Sequence, residues 1–311
     1  VLEPETLRAT AIDWLLDRTL DGQVPLTRED LSDFQWQGED FRLIAPMQGI
    51  WRPQGFQAAL SFRTAYRSHG QERPYEDEIG PDGLIRYKWR GTDPSHPDNA
   101  GLRRAYELNL PLIWFVGVGM NPATYQVVAP VYILAEEPHL QQFVIAPMDP
   151  EDYSPELLSN SPMELSLRRY VLRETKVRLH QPVFRSTVLV AYDNHCAVCN
   201  FAHPELLDAA HIVPDKHEEL GLPTIKNGIA MCKIHHAAFD RQFLGIRPDH
   251  VVEIRKDLLE EVDGPMLRHG LQELHGKKLM ALPRSRTDRP GVPNLEWAYE
   301  RFRNATAADV A

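Results

Sequence analysis

Every cysteine in this chain falls within residues 196–232, and each belongs to a pair with a two-residue spacer: Cys196-Ala-Val-Cys199, then Cys232-Lys-Ile-His235. Two tight turns that each present two soft or borderline ligands suit one tetrahedral zinc ion. The spacing predicts a structural zinc site in which Cys196, Cys199, Cys232 and His235 fill all four positions and pin together two segments that otherwise lack a core. The bland alternative, incidental buried thiols, leaves the matched spacing unexplained. An odd number of cysteines and an acidic start (Val1-Leu2-Glu3-Pro4-Glu5) without a signal-peptide pattern give no disulfide framework, so a cytoplasmic protein is expected.

The chain has 311 residues, long for one compact domain and comfortable for two. No apolar run approaches the ~18 residues a membrane helix needs; the longest, Leu110 to Val118, is strand-sized, and no membrane partner is expected. With 34 Lys and Arg against 44 Asp and Glu, the net charge of -10 argues on its face against a protein that coats nucleic acid. The charge is uneven, however. Residues 1–150 hold 13 basic and 21 acidic side chains, whereas residues 151–311 hold 21 and 23. Within the second half, Met163 to Arg185 carries Arg168, Arg169, Arg173, Lys176, Arg178 and Arg185 against Glu164 and Glu174. That stretch reads as a basic helix opened by Ser161-Pro162 and free of breakers before Pro182. A solvated face is the ordinary meaning of such a helix, but this one leads straight into the cysteines, where its cations suit a DNA backbone.

The first half reads differently. Glu3 to Leu20 has helical spacing and ends near Asp21-Gly22. Short apolar or alternating runs follow at Phe41–Ile44, Gln57–Phe62, Leu84–Trp89, Leu112–Val118, Thr124–Leu134 and Phe143–Ala146, separated by Gly, Pro, Asn and Asp clusters. This pattern predicts a mainly β barrel or sandwich with one helix near Gly101–Leu108. The expected division is a helical segment over 1–35, a β domain over 36–150, a linker over 151–162 and a second domain over 163–311.

Between the cysteine pairs lie Asp208-Ala-Ala-His211-Ile-Val-Pro214 and Asn227-Gly228, with His236 and Asp240 just beyond. These words, together with Lys-Asn-Gly-Ile-Ala-Met-Cys and His-His-Ala-Ala-Phe-Asp, resemble the HNH (ββα-metal) endonucleases in their zinc-stapled restriction-enzyme form. The resemblance spans about Leu165 to Phe243. It implies a metal-dependent deoxyribonuclease with His211 on the first strand, Asn227 near the second and His236 on the following helix. It also implies that Asn227 bonds across the hairpin and holds His211 in place.

Phosphodiester hydrolysis needs an activated water, a cation on the phosphate and help for the leaving oxygen. A neutral imidazole titrates near working pH, so His211 is assigned as general base. His236 and Asp240 are four apart on the expected helix and face one way, able to share Mg2+, Mn2+ or another divalent ion such as Ni2+ or Co2+. Many relatives place a ligand immediately before the catalytic histidine, where this chain has Ala210. Asp208, two residues earlier on the same strand face, either supplies that carboxylate or is a surface aspartate. His235 goes to zinc and His236 to the catalytic ion because adjacent helix positions point about 100° apart; the opposite assignment breaks the zinc spacing.

In the first half, Tyr75-Glu-Asp-Glu78, Gly80, Asp82-Gly83 and Tyr87 resemble the SRA (SET- and RING-associated) domain, a PUA-like barrel that flips 5-methylcytosine out of the duplex. Asp98-Asn99-Ala-Gly-Leu102 and Leu110-Pro-Leu-Ile113 extend the likeness. It implies that Tyr75 and Tyr87 sandwich the flipped base while Glu78, or Asp77, accepts from the cytosine amine. Stacking of this kind is worth ~1–3 kcal/mol per base.

The expected fold is α+β: an SRA/PUA-like barrel followed by a zinc-stapled ββα-metal nuclease domain with flanking helices. The expected function is a type IV-like, modification-dependent endonuclease acting on double-stranded DNA that carries 5-methylcytosine, 5-hydroxymethylcytosine or a similar base. One ββα site cuts one strand, so a homodimer is expected for double-strand cleavage. The alternatives are a nuclease whose first domain reads another modification or DNA shape, and a non-catalytic methyl-DNA-binding protein.

Overall fold

The structure, a computed structural model, describes residues 3–66, 84–147, 179–217 and 219–305. Its contacts divide the chain into two compact units, residues 1–183 and 184–311.

The first unit opens with α1 (Pro4–Arg18), which has proline and Glu5 in its first turn and stops where Leu20, Asp21 and Gly22 take left-handed backbone conformations. Leu7, Ala11, Ile12 and Leu15 line its inner side and share a core with Phe34, Leu43, Phe56, Leu60, Ile113 and Phe115. The segment before residue 36 is therefore built into the same core as the strands. Those strands are β1 (Leu26–Thr27), β2 (Gln35–Trp36), β3 (Glu39–Asp40), β4 (Ile50–Trp51), β5 (Ser61–Thr64), β6 (Ile85–Lys88), β7 (Leu112–Met120), β8 (Ala123–Glu137) and β9 (Gln142–Ala146), with α2 (Pro97–Glu107) between β6 and β7.

One sheet runs β4-β5-β7-β8-β9-β6, with β1 also paired to β8. The long β8 carries β7 along its first part and β9 along its second. Register shifts in both pairings, at Leu112/Trp114, Gly117/Gly119 and Ile133/Ala135, add local twist and curl the sheet into a half-barrel. Among the described residues the sheet stays open, ending at β4 and β6.

Three local expectations change, one of them the Gln57–Phe62 run, of which only Ser61 and Phe62 lie in β5. Phe41–Ile44 is not a strand: Leu43 and Ile44 are buried, but the Leu43 carbonyl accepts from the Ser61 hydroxyl (2.6 Å) rather than from a neighbouring strand. The helix expected at Gly101–Leu108 begins at Pro97, because His96 caps it by accepting from the Asp98 amide (3.1 Å). Asn99, fully buried in its first turn, ties the loop after β6 by bonding the Arg90 amide and the Arg90 and Asp93 carbonyls.

The unit boundary falls inside α3 (Gln181–Ala191). Residues 179–180 are π-helical and run directly into it, so the chain is helical on both sides of Pro182. The second unit continues with β10 (Leu207–His211), β11 (Gly228–Cys232), α4 (Lys233–Asp240), β12 (Leu244–Ile246), β13 (Val252–Ile254), α5 (Lys256–Glu260), α6 (Pro265–Gly270) and α7 (Val292–Asn304). Val188, Leu189, Leu207, Ile229, Met231, Phe239 and Leu295 meet in one core. The β10–β11 hairpin followed directly by α4 is a ββα unit, and its register sets His211 opposite Gly228 and Leu207 opposite Cys232.

Candidate active site and metal cluster

Cys196 and Cys199 occupy a tight turn closed by the Cys196 amide on the Phe201 carbonyl (2.8 Å), with Asn200 in the left-handed region. Cys232 ends β11 and His235 lies one turn into α4. The four ligand atoms lie within 4.8 Å of one another, so these residues can hold a metal ion. Nδ1 of His235 faces the sulfurs of Cys232 (3.1 Å) and Cys196 (3.5 Å), while Nε2 lies 2.8 Å from the Gly270 carbonyl on α6. A carbonyl on the outer nitrogen fixes the tautomer and leaves Nδ1 as the ligand. Burial opposes a charge on His235, but its bonds to the two sulfurs and to Gly270 raise its pKa to about 10. Loading the cluster therefore releases a proton.

The next residue on α4, His236, points elsewhere. Its Nδ1 lies 3.3 Å from Asp208 and its Nε2 3.3 Å from Asp240. Asp208 also accepts from Lys233 (2.6 Å) and lies 3.7 Å from the Arg185 guanidinium. Burial alone would raise the Asp208 carboxyl, yet the His236 and Lys233 hydrogen bonds and charges hold it at about 2. The Asp208 bond, against burial and with help from Asp240, raises the His236 pKa. Asp208 and Asp240 thus sit on opposite nitrogens of one ring. A single ion takes one of those nitrogens, so His236, Asp240 and Asp208 do not form one shared ligand set here.

His211 closes β10, and its imidazole stacks on Phe184 with centroids 4.1 Å apart and planes 20° from parallel. Asn227, buried just before β11, accepts from the Val213 amide and donates to the Val213 carbonyl, both at 2.9 Å. This two-way clamp crosses the hairpin and secures the chain two residues beyond His211. Sequence reasoning missed Asn294, on α7, which donates to the Asn227 side chain (3.0 Å) and to the Leu220 carbonyl (3.0 Å). No spacing pattern links positions that far apart. It also passed over Phe184 as a site residue.

Arg185, read from sequence as a phosphate contact, instead donates to the carbonyls of Pro204 and Leu207, both at 2.7 Å, and burial lowers its pKa. Those carbonyls precede or open β10, so the guanidinium ties α3 to the start of the hairpin. Tyr87, on β6, stands edge-on to Phe62 (4.7 Å) and its hydroxyl donates to the Arg63 carbonyl (3.2 Å). Tyr75, Asp77, Glu78, Arg168, Arg169, Arg173, Lys176 and Arg178 lie outside the described residues. Among the described residues no helix is long and apolar enough to cross a membrane.

Comparison with known proteins places these findings. No curated protein matches the chain. Among solved structures, similarity is found to a modification dependent TagI restriction endonuclease at 17% identity, covering 79% of this chain and 82% of that one with a TM-score of 0.29. The type IV phosphorothioation-dependent restriction endonuclease ScoMcrA is similar at 15% identity over 62% of this chain and 50% of its own, with a TM-score of 0.22. Both likenesses are too distant to argue a shared fold. The family described as HNH endonuclease matches residues 196–247, the stretch that holds the Cys3His cluster, His211, Asn227 and the ββα turn. Residues 196–247 match the HNH endonuclease family, and that match supports a nuclease role for the chain that carries it.

Proposed function

We propose that the chain is a modification-dependent DNA endonuclease: the first unit reads a modified cytosine, and the ββα hairpin hydrolyses the phosphodiester. The observation that carries the nuclease half is the placement of His211 on a clamped strand end, one hairpin from a helix bearing His236 and Asp240. His211 takes the proton of the attacking water as general base. Asn227, held by Asn294, keeps the β10 end from shifting under it. His236 and Asp240 would hold a divalent ion, Mg2+ or Mn2+, which would supply charge stabilisation at the phosphate. Asp208 orients the His236 ring from its other nitrogen, since Lys233 and Arg185 already neutralise that carboxylate and disfavour a cation beside it. Zinc is the proposed ion of the Cys3His cluster, whose three sulfurs and one imidazole match its preferred donors. Thiols kept free for a metal suit a reducing cytoplasm.

The reader half rests on the resemblance of Tyr75, Glu78 and Tyr87 to a base-flipping pocket. Flipping and stacking a modified base makes binding depend on that base more than on general phosphate attraction. Double-strand cutting by one-strand sites calls for a homodimer. The test is plasmid carrying cytosine, 5-methylcytosine or 5-hydroxymethylcytosine, incubated with Mg2+ or Mn2+. Preferential cutting of a modified plasmid is the expected result. Equal cutting of all three overturns the reader, and binding without cutting under any divalent ion overturns the catalytic assignment.

A further inference from the structure

The His211 imidazole is held by more than its backbone. Phe184 lies nearly parallel over one face, at 4.1 Å and 20°, and is itself almost fully buried. That packing depends on the residue opposite His211 in the hairpin being Gly228. A Cβ at Gly228 would collide with Val188 Cγ2 and come within 3.1 Å of Phe184 Cζ, both on α3. The glycine thus lets α3 lie close enough for its phenylalanine to reach the imidazole. A flat ring over one face restricts rotation of the imidazole about its last bond and leaves the nitrogen-bearing edge directed. The phenyl face also favours the positive charge that appears on His211 once it has taken a proton.

We propose that Phe184 is a positioning residue of the general base, holding the His211 ring in the orientation from which it accepts the water proton. The proposal rests on the reading of His211 as base. Phe184 touches neither water nor phosphate in this role and acts through His211 alone. Misplacement of a reacting group by about 1 Å costs up to about 100-fold in rate, so loss of the flat ring is expected in kcat rather than in DNA binding.

The test compares Phe184→Leu, Phe184→Tyr, Val188→Ala and His211→Ala on a supercoiled plasmid that the wild-type chain cuts. The expected result is a kcat for Phe184→Leu lowered by about 10-fold or more, in the range of such misplacements, with KM unchanged. Phe184→Tyr, which keeps the ring, restores kcat to near the wild-type rate. Val188→Ala packs on the same glycine but does not stack on His211, and keeps its kcat. Should Phe184→Leu lose its bound metal and fold, Phe184→Met takes its place, since it fills the space without a flat face. A wild-type kcat in Phe184→Leu, or an equal loss in Phe184→Tyr or Val188→Ala, overturns the proposal. If His211→Ala itself cuts at the wild-type rate, the base assignment fails; if His211→Ala is inactive and Phe184→Leu is not, only the positioning role fails.

Discussion

His235 and His236 are neighbours in sequence and part company in space, one among sulfurs and the other between two carboxylates. The split follows from helical geometry, and the Cys-x-x-His spacing made it readable before any coordinates. What spacing did not convey is which side of the His236 ring each carboxylate would occupy. The i,i+4 relation placed Asp240 beside His236, and strand alternation placed Asp208 on the same face as residue 210. Neither rule reports that Lys233 and Arg185 would gather at Asp208. The difference is testable by isothermal titration of Mn2+ into zinc-loaded protein. Asp240→Ala, which removes a ligand, should weaken Mn2+ binding more than Asp208→Asn, which keeps shape and one hydrogen-bonding oxygen and should cost about 10-fold. Equal loss in the two variants, or a larger loss in Asp208→Asn, would return Asp208 to the ligand set.

At the scale of elements, the zinc-type cluster joins a turn, a strand end and a helix start, with α6 attached through Gly270. The turn, β11 and α4 also pack into the core of the second unit, but α6 has no fully buried residue and meets the cluster through Gly270. Cys196→Ser should therefore unfold the hairpin region and abolish cutting, and a strong chelator should do the same to the wild type. Amide exchange over β10, β11 and α4 reads the outcome, and protection retained in both cases would show that the cluster is dispensable. The strands of the first unit were legible where apolar runs are long: β7, β8 and β9 lie on Leu112–Val118, Thr124–Leu134 and Phe143–Ala146. Phe41–Ile44 misled because burial of Leu43 and Ile44 mimics a strand pattern, whereas the backbone there is satisfied by side chains such as Ser61. The early start of α2 was hidden by a Pro-Asp-Asn cluster that reads as a turn and here serves as a capped first turn.

For the whole molecule, the net charge of -10 looked unpromising for a DNA enzyme, yet residues 151–311 are nearly balanced at 21 basic and 23 acidic side chains. Weak general affinity for phosphate suits the proposed reading, in which one base decides where the chain binds. The link from α7 to the hairpin reaches across the second unit, where Asn294 meets Asn227 and the Gly291 amide meets the Lys226 carbonyl (2.9 Å). Asn294→Ala removes a donor shared by two acceptors and should lower stability by about 1 kcal/mol, read from urea unfolding. It should also slow cutting more than it weakens DNA binding; unchanged stability and rate would leave the link without consequence. The contact has a bearing on how the enzyme comes into being. All the proposed chemistry-bearing residues of the second unit have been synthesised once Asp240 is made, but the brace on Asn227 waits for Asn294, more than fifty positions later. A chain that stops between Asp240 and Asn294 carries the proposed cutting residues on an unbraced hairpin, so cutting is expected only once synthesis has passed Asn294.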